Sequence, residues 1–338
     1  MKNIICNSPG QLEYGEGEKP DVKKDHALLK IRRIGICGTD LHAFEGTQPF
    51  FTYPRILGHE LAAEFVEADG DTGFKPGEIV TIIPYFYCRA CIACRAGKTN
   101  SCVNIKVFGV HIDGGMAEYV SVPTYSLVHG NGLSSESLAL MEPLAVGAHA
   151  VRRCAVRPGE FVLVVGAGPI GLGTMEFARI AGGQVIALDI NEARLSFCKE
   201  KLKVDHTIKA NTSAVVEQLK EITNGDMPTV VIDATGSLKA INNSFQFIAH
   251  TARYVLVGLQ KGDISFNHPE FHKREATLMS SRNATREDFE HVMNAIKNGW
   301  IDPTSYITHR SFFHDVKRDF ANWLNPANGV IKAMVEME

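Results

Sequence analysis

No apolar run in the sequence approaches the roughly 18 residues that a bilayer-spanning helix requires. The N-terminus also lacks a charged region followed by a long hydrophobic core. These absences lead us to expect a cytoplasmic protein with no membrane partner. Excess positive charge is missing as well: 35 basic residues against 38 acidic ones leave a formal charge of -3. Nothing in that balance favours nucleic acid or anionic lipid as a partner. Repeats and low-complexity segments are absent too. What is present is a hydrophobic content of 45% in 338 residues, enough for a large buried core and about two domains. Small-molecule chemistry is the expectation that remains.

The most informative local feature is a cysteine cluster. Four of the eight cysteines, Cys88, Cys91, Cys94 and Cys102, follow the pattern C-x2-C-x2-C-x7-C. Four thiolates at that spacing close a tetrahedral shell around zinc, and a closed shell is structural rather than catalytic. Disulfide pairing is the competing use of so many cysteines, but metal-like spacing and an expected reducing compartment favour the metal. Cys6, Cys154 and Cys198 read as ordinary apolar side chains.

Up to about residue 150 the chain is strand-like and interrupted by Gly and Pro. Residues 27–34, 61–67, 79–83 and 117–122 are predicted strands of a mainly β domain. Residues 134–151 carry helical spacing, with a serine-rich start and an interruption expected at Pro143. From Phe161 the pattern changes to apolar strands, at 161–165, 184–188, 229–232, 254–257 and 277–280, separated by helical stretches. Such alternation predicts a parallel sheet covered on both faces, hence an α/β, doubly wound domain. An amphipathic helix is expected at 289–297.

Directly after the first apolar strand comes Gly166-Ala167-Gly168-Pro169-Ile170-Gly171, a G-x-G-x-x-G sequence followed by a helical pattern at 172–181. Glycines there let the backbone approach a pyrophosphate at the positive end of the helix. Asp189, at the end of the next apolar strand, is placed to accept hydrogen bonds from the adenine ribose and to repel a ribose phosphate. We therefore expect NAD rather than NADP, with Arg194 the residue that argues the other way.

Upstream of the cysteine cluster lies Gly35-Ile36-Cys37-Gly38-Thr39-Asp40-Leu41-His42, followed by Gly58-His59-Glu60. A thiolate, an imidazole and one or two carboxylates make the mixed ligand set of a zinc site that keeps one position open. Alcohol oxidation needs a Lewis acid to lower the pKa of the substrate oxygen, and zinc does this without redox change. Thr39 and His42 offer a hydroxyl and an imidazole that can relay the released proton. Taken singly, His42 is more often a surface or hydrogen-bonded histidine and Cys37 more often a buried apolar residue; the combination with the cysteine cluster and the dinucleotide loop is what points to chemistry.

On these motifs the chain resembles the zinc-dependent medium-chain dehydrogenases, the family of alcohol, sorbitol and threonine dehydrogenases, over essentially its whole length. The resemblance implies a Rossmann domain at 148–281, inserted in a mainly β, GroES-like catalytic domain made of 1–147 and 282–338, with the active site in the cleft between them. It implies Cys37 and His59 as ligands of a catalytic zinc. The segment Met141-Glu142-Pro143 resembles the polyol and threonine branch, where a glutamate takes the place of a third cysteine. Glu60 also approaches the metal in that branch, so Glu60 and Glu142 are alternative ligands. Asp40 is implied to accept a hydrogen bond from His59 and fix its ring. With the four-cysteine site this makes two zinc ions per chain. By the same analogy Thr277–Ser280 is the candidate contact of a homodimer or homotetramer.

The segments at 47–55, 269–273 and 281–285 resemble bacterial dehydrogenases acting on sugar acids. A carboxylated substrate needs a cation, for which Arg55, Lys273, Arg274 and Arg282 are candidates, and Phe50 and Phe51 are candidate pocket walls. A polyol or threonine dehydrogenase shares every metal residue, and a non-catalytic nucleotide-binding relative is a third reading, which two bound metals would argue against.

Overall fold

The computed structural model describes residues 1–49, 51–210 and 214–337; Phe50, a candidate pocket wall, lies outside them. The chain divides into two compact units, one made of Met1–Pro143 with Ala284–Glu338 and the other of Leu144–Asn283.

The first unit is built on a seven-stranded sheet. Its longest strand, His26–Ile36, pairs antiparallel along one edge with Glu60–Ala68. Along the other edge its first half pairs with Tyr119–Pro123 and its second half with the C-terminal strand Lys332–Glu336. That last pairing explains why the chain after residue 284 belongs to this unit. The sheet packs Leu29, Ile31, Phe65 and Val80 into a core with Phe320 and Trp323. The register sets Gly35 opposite Glu60. A Cβ on Gly35 would collide with the Glu60 carboxylate, so glycine there makes room for a buried charge.

The expected interruption at Pro143 is displaced. Two helices form, Ser135–Ala139 and Met141–Cys154, and the break falls at Leu140. Pro143 is the third residue of the second helix, where its missing N–H would have had no intrahelical partner. Ser134 caps the first helix by accepting from the Ser137 N–H.

The second unit carries a six-stranded, wholly parallel sheet in the order His206–Lys209, Gln184–Asp189, Phe161–Val165, Val230–Asp233, Arg253–Leu256, Thr277–Ser280. Numbered along the chain this is 3-2-1-4-5-6, the doubly wound order of dinucleotide-binding sheets. The central strands are apolar because helices cover both faces: Val162, Leu163, Val164, Val185, Ile186 and Val231 are fully buried. Five strands were expected, and the sixth, His206–Lys209, escapes notice because it is short, lies at an edge and contains one buried apolar residue, Ile208. At the opposite edge Thr277–Ser280 exposes Leu278. Among the described residues no helix is long and apolar enough to cross a membrane.

Candidate active site

Cys37 follows the long strand and forms the N-cap of the helix Gly38–Glu45. His59 and Glu60 enter the neighbouring strand at the level set by the Gly35 pairing. Sheet register thus brings together residues far apart in the chain: the donor atoms of Cys37, His59 and Glu60 lie within 4.8 Å of one another. Glu142, in the first turn of Met141–Cys154, interacts electrostatically with His59 and Glu60 but stands outside this close trio.

Negative charge dominates the cluster. Asp40, His59, Glu60 and Glu142 are all buried. Burial alone would lower the pKa of His59, but Asp40, Cys37 and Glu142 hold it well above the ordinary histidine range. Burial, and repulsion from Glu60, raise both Asp40 and Glu142. A site with this surplus of negative groups favours a cation, and its thiol, imidazole and carboxylate donors suit zinc.

Asp40 does not act as expected. Its Oδ1 is 3.6 Å from His59 Nδ1, an ion-pair distance too long for a hydrogen bond, and that nitrogen has no hydrogen-bond partner among the described residues. The carboxylate instead accepts from the Cys37 N–H at 2.9 Å and the Gly58 N–H at 3.1 Å. It caps its own helix and ties the backbone of Cys37 to that of Gly58, next to His59. Thr39 and His42 lie three residues apart on that helix, half-buried and exposed respectively. His42 Nδ1 is 3.3 Å from both Glu45 Oε2 and Thr47 Oγ1.

In the four-cysteine cluster, Sγ separations are 3.5 Å for Cys91 and Cys94, 3.8 Å for Cys91 and Cys102, and 3.5 Å for Cys88 and Cys102. A tetrahedron with Zn–S bonds of about 2.3 Å has edges of about 3.8 Å, so the four sulfurs fit the ion. Backbone N–H groups of Cys94 and Val103 draw Cys91 down to about 6, whereas burial and the neighbouring thiols push Cys94 up to about 12.

The glycine loop also fits its ligand. Gly166 has φ of +100°, and a Cβ on Gly171 would strike the Gly166 carbonyl oxygen, so both positions need glycine. At Gly168 only Arg194 Nη1, at 4.0 Å, comes near the place of a Cβ, which leaves the room a pyrophosphate requires. Gly168 is the N-cap of Pro169–Ile180, with Pro169 leading the helix and Ile170 following it. Asp189 Oδ2 accepts from the Ala167 N–H at 2.6 Å and Oδ1 from the Asn191 N–H at 2.8 Å. The acid therefore braces the loop and presents its carboxylate beside it.

An alcohol dehydrogenase GroES-like domain matches residues 23–131, and a zinc-binding dehydrogenase domain matches residues 169–298. Over 336 residues the chain is 44% identical to L-galactonate-5-dehydrogenase of Escherichia coli K12, covering 98% of each sequence. The chain belongs to the zinc-dependent medium-chain dehydrogenases. The dehydrogenase is also 32% identical to sorbitol dehydrogenase of Halalkalibacterium halodurans, over 91% of this chain and 92% of the relative. Its fold matches the NADH-complexed alcohol dehydrogenase RspB of Escherichia coli CFT073 with a TM-score of 0.93, at 28% identity and 99% coverage of both chains. It is an oxidoreductase acting on CH–OH groups, of a family that uses zinc and NAD(H).

Two residues of the site escaped the sequence reading. Lys332 Nζ donates to both Glu60 oxygens and to the Ile36 carbonyl, and the Tyr85 hydroxyl donates to Glu142 Oε1. Each lies in an apolar stretch that reads as core; the only signal was a lysine directly ahead of the buried apolar residues Ala333, Met334 and Val335. Of the expected substrate cations, Lys273 and Arg274 in the dehydrogenase are both paired with Glu270, at 2.8 and 2.9 Å. Arg55 bonds Asp113 and Thr52 through its terminal nitrogens, while its Nε has no partner among the described residues. Phe51 packs edge-on against Tyr53. Arg282 has interactions of its own.

Proposed function

We propose that the dehydrogenase oxidises a secondary hydroxyl of a sugar acid, converting an L-galactonate-type aldonate to a keto acid. The substrate class rests on one finding, the 44% identity to L-galactonate-5-dehydrogenase over 98% of both chains. When bound, zinc supplies Lewis acidity toward an alcohol oxygen and NAD supplies the hydride acceptor.

Cys37, His59 and either Glu60 or Glu142 would hold the catalytic zinc, and Cys88, Cys91, Cys94 and Cys102 a second, structural one. Each candidate carboxylate has its own restraint, Lys332 on Glu60 and Tyr85 on Glu142. Thr39 and His42 run from half-buried to exposed along one helix face, the direction a proton leaving the substrate has to travel. Asp189, beside the glycine loop, favours NAD over NADP by charge. Arg55 is four residues from His59 and belongs to the same unit as the metal donors, which makes it the candidate for the substrate carboxylate. The same proposal includes a cytoplasmic homodimer or homotetramer joined through Thr277–Ser280.

A polyol substrate is the second reading, favoured by the 32% identity to sorbitol dehydrogenase. Initial rates of NADH formation by zinc-loaded protein, with L-galactonate and sorbitol at matched concentration, separate the two. The proposal expects a preference for the acid of at least about tenfold, the effect of one charge-assisted contact. Preference for sorbitol overturns the sugar-acid assignment and keeps the zinc and NAD chemistry.

A further inference from the structure

The chain that carries the four cysteines begins and ends on a small sheet of its own. Tyr85–Phe86 pairs antiparallel with Lys106–Val107, with Tyr85 opposite Val107 and Phe86 opposite Lys106, and among the described residues neither strand joins another sheet. Cys88 follows this pairing by two residues and Cys102 precedes it by four. A pair of two-residue strands has little stability of its own. Its geometry is therefore set by its surroundings, of which the closure of the intervening chain is one, and the four sulfurs are positioned to close it on a metal.

Tyr85 bonds outside that lobe. Its ring is buried, and its hydroxyl donates to Glu142 Oε1 in the mixed donor cluster. The next residues are anchored elsewhere: Tyr87 donates its N–H to the Tyr125 hydroxyl at 3.1 Å, and the Arg89 guanidinium lies 4.6 Å from the Tyr125 ring. The strand that holds Glu142 is thus continuous with the cysteine lobe.

We propose that Tyr85 is a positioning residue coupling the two clusters, so that metal bound by the four cysteines strengthens metal binding at Cys37, His59 and the glutamates. The proposal rests on the reading that those residues hold a metal. Closing the lobe fixes the short strand, the strand fixes the Tyr85 hydroxyl, and the hydroxyl fixes the Glu142 carboxylate. A fixed carboxylate loses less freedom when a metal arrives. By linkage the effect is reciprocal.

The test uses metal-stripped full-length protein and two probes. One equivalent of Cd(II), a thiophilic ion, loads the four cysteines. Co(II) is then titrated into the mixed site and followed by its visible d–d bands, with and without the cadmium, for wild type and Tyr85→Phe. In the wild type, cadmium should tighten cobalt binding about tenfold, the effect of one hydrogen bond to a charged group. In Tyr85→Phe, which keeps the ring and removes the donor, the gain should fall below about twofold. An equal gain in both proteins would mean that cadmium merely stabilises the fold, and would overturn the proposal; so would no gain in the wild type. Absence of any cobalt band from the mixed site in either protein would overturn the metal-site reading beneath it.

Discussion

Lys332 Nζ lies 2.7 Å from each carboxylate oxygen of Glu60, and the pair is enclosed within the first unit, the lysine 2% exposed and the glutamate 0%. A charge with no access to water depends on its partner, and here the partners come from opposite ends of the chain. Burial pulls the Lys332 pKa down, but Glu60, Cys37 and Glu142 together hold it above the usual lysine value. The charged form is therefore favoured, and its two hydrogen bonds restrain the Glu60 carboxylate beside Cys37 and His59.

Removing one half of such a pair strands the other. Lys332→Met should lower stability by about 3–5 kcal/mol in denaturant unfolding, and adding Glu60→Gln should recover a substantial part of the loss. Additive losses in the double variant would show that the two residues do not act as a pair.

If the proposed two-zinc reading holds, Cys37→Ser should remove one of two bound ions per chain while leaving the four-cysteine metal in place, with turnover falling at least about a hundredfold because the Lewis acid is lost. Glu142→Ala should lower turnover in the same direction. Metal analysis beside initial rates checks both, and full activity in either variant would refute its ligand role.

Two of the loop glycines, Gly171 and Gly168, should respond differently. Gly171→Ala forces a Cβ onto the Gly166 carbonyl and should destabilise the protein by about 1–3 kcal/mol. Gly168→Ala meets nothing in the protein closer than 4.0 Å and should leave the melting temperature unchanged while weakening NADH binding. Thermal melts and NADH fluorescence titration separate the two effects; equal melting losses would contradict the assigned roles.

Acid sensitivity of the second unit should be traceable to Glu160. Burial would raise its pKa, but the Arg253 guanidinium, the Arg157 N–H and the Thr229 hydroxyl hold it below the ordinary glutamate value. A carboxyl depressed in the folded state stabilises fully above its unfolded pKa, about 4.3, and the benefit is lost as pH falls through the folded value. Unfolding free energy should therefore decline below about pH 5, and Glu160→Gln should flatten that decline while lowering stability at neutral pH. An unchanged acid slope in Glu160→Gln would assign the sensitivity to other groups.

Much of this architecture was readable from local pattern. Four cysteines within fifteen positions need only a loop to meet, and the strand, glycine turn and helix from Phe161 onward form a contiguous unit whose geometry its own residues dictate. Pro143 misled because a proline disrupts a helix interior but not a first turn, and the boundary at Leu140 depended on packing. The strand His206–Lys209 was missed because an edge strand needs little apolar surface.

The amino-acid order by itself determined the α/β class, the dinucleotide loop, the cysteine cluster and the short segments that supply the mixed donor cluster, since each is carried by neighbours in the chain. Only the tertiary structure decided which partners those residues have. Lys332 reaches Glu60 through a strand pairing that joins the C-terminus to residue 36, Tyr85 reaches Glu142 from a separate two-stranded sheet, and Asp40 turns from His59 to the backbone of Cys37 and Gly58. Such partners are set by sheet register and burial over long separations, and no local pattern encodes which distant charge a buried carboxylate will meet.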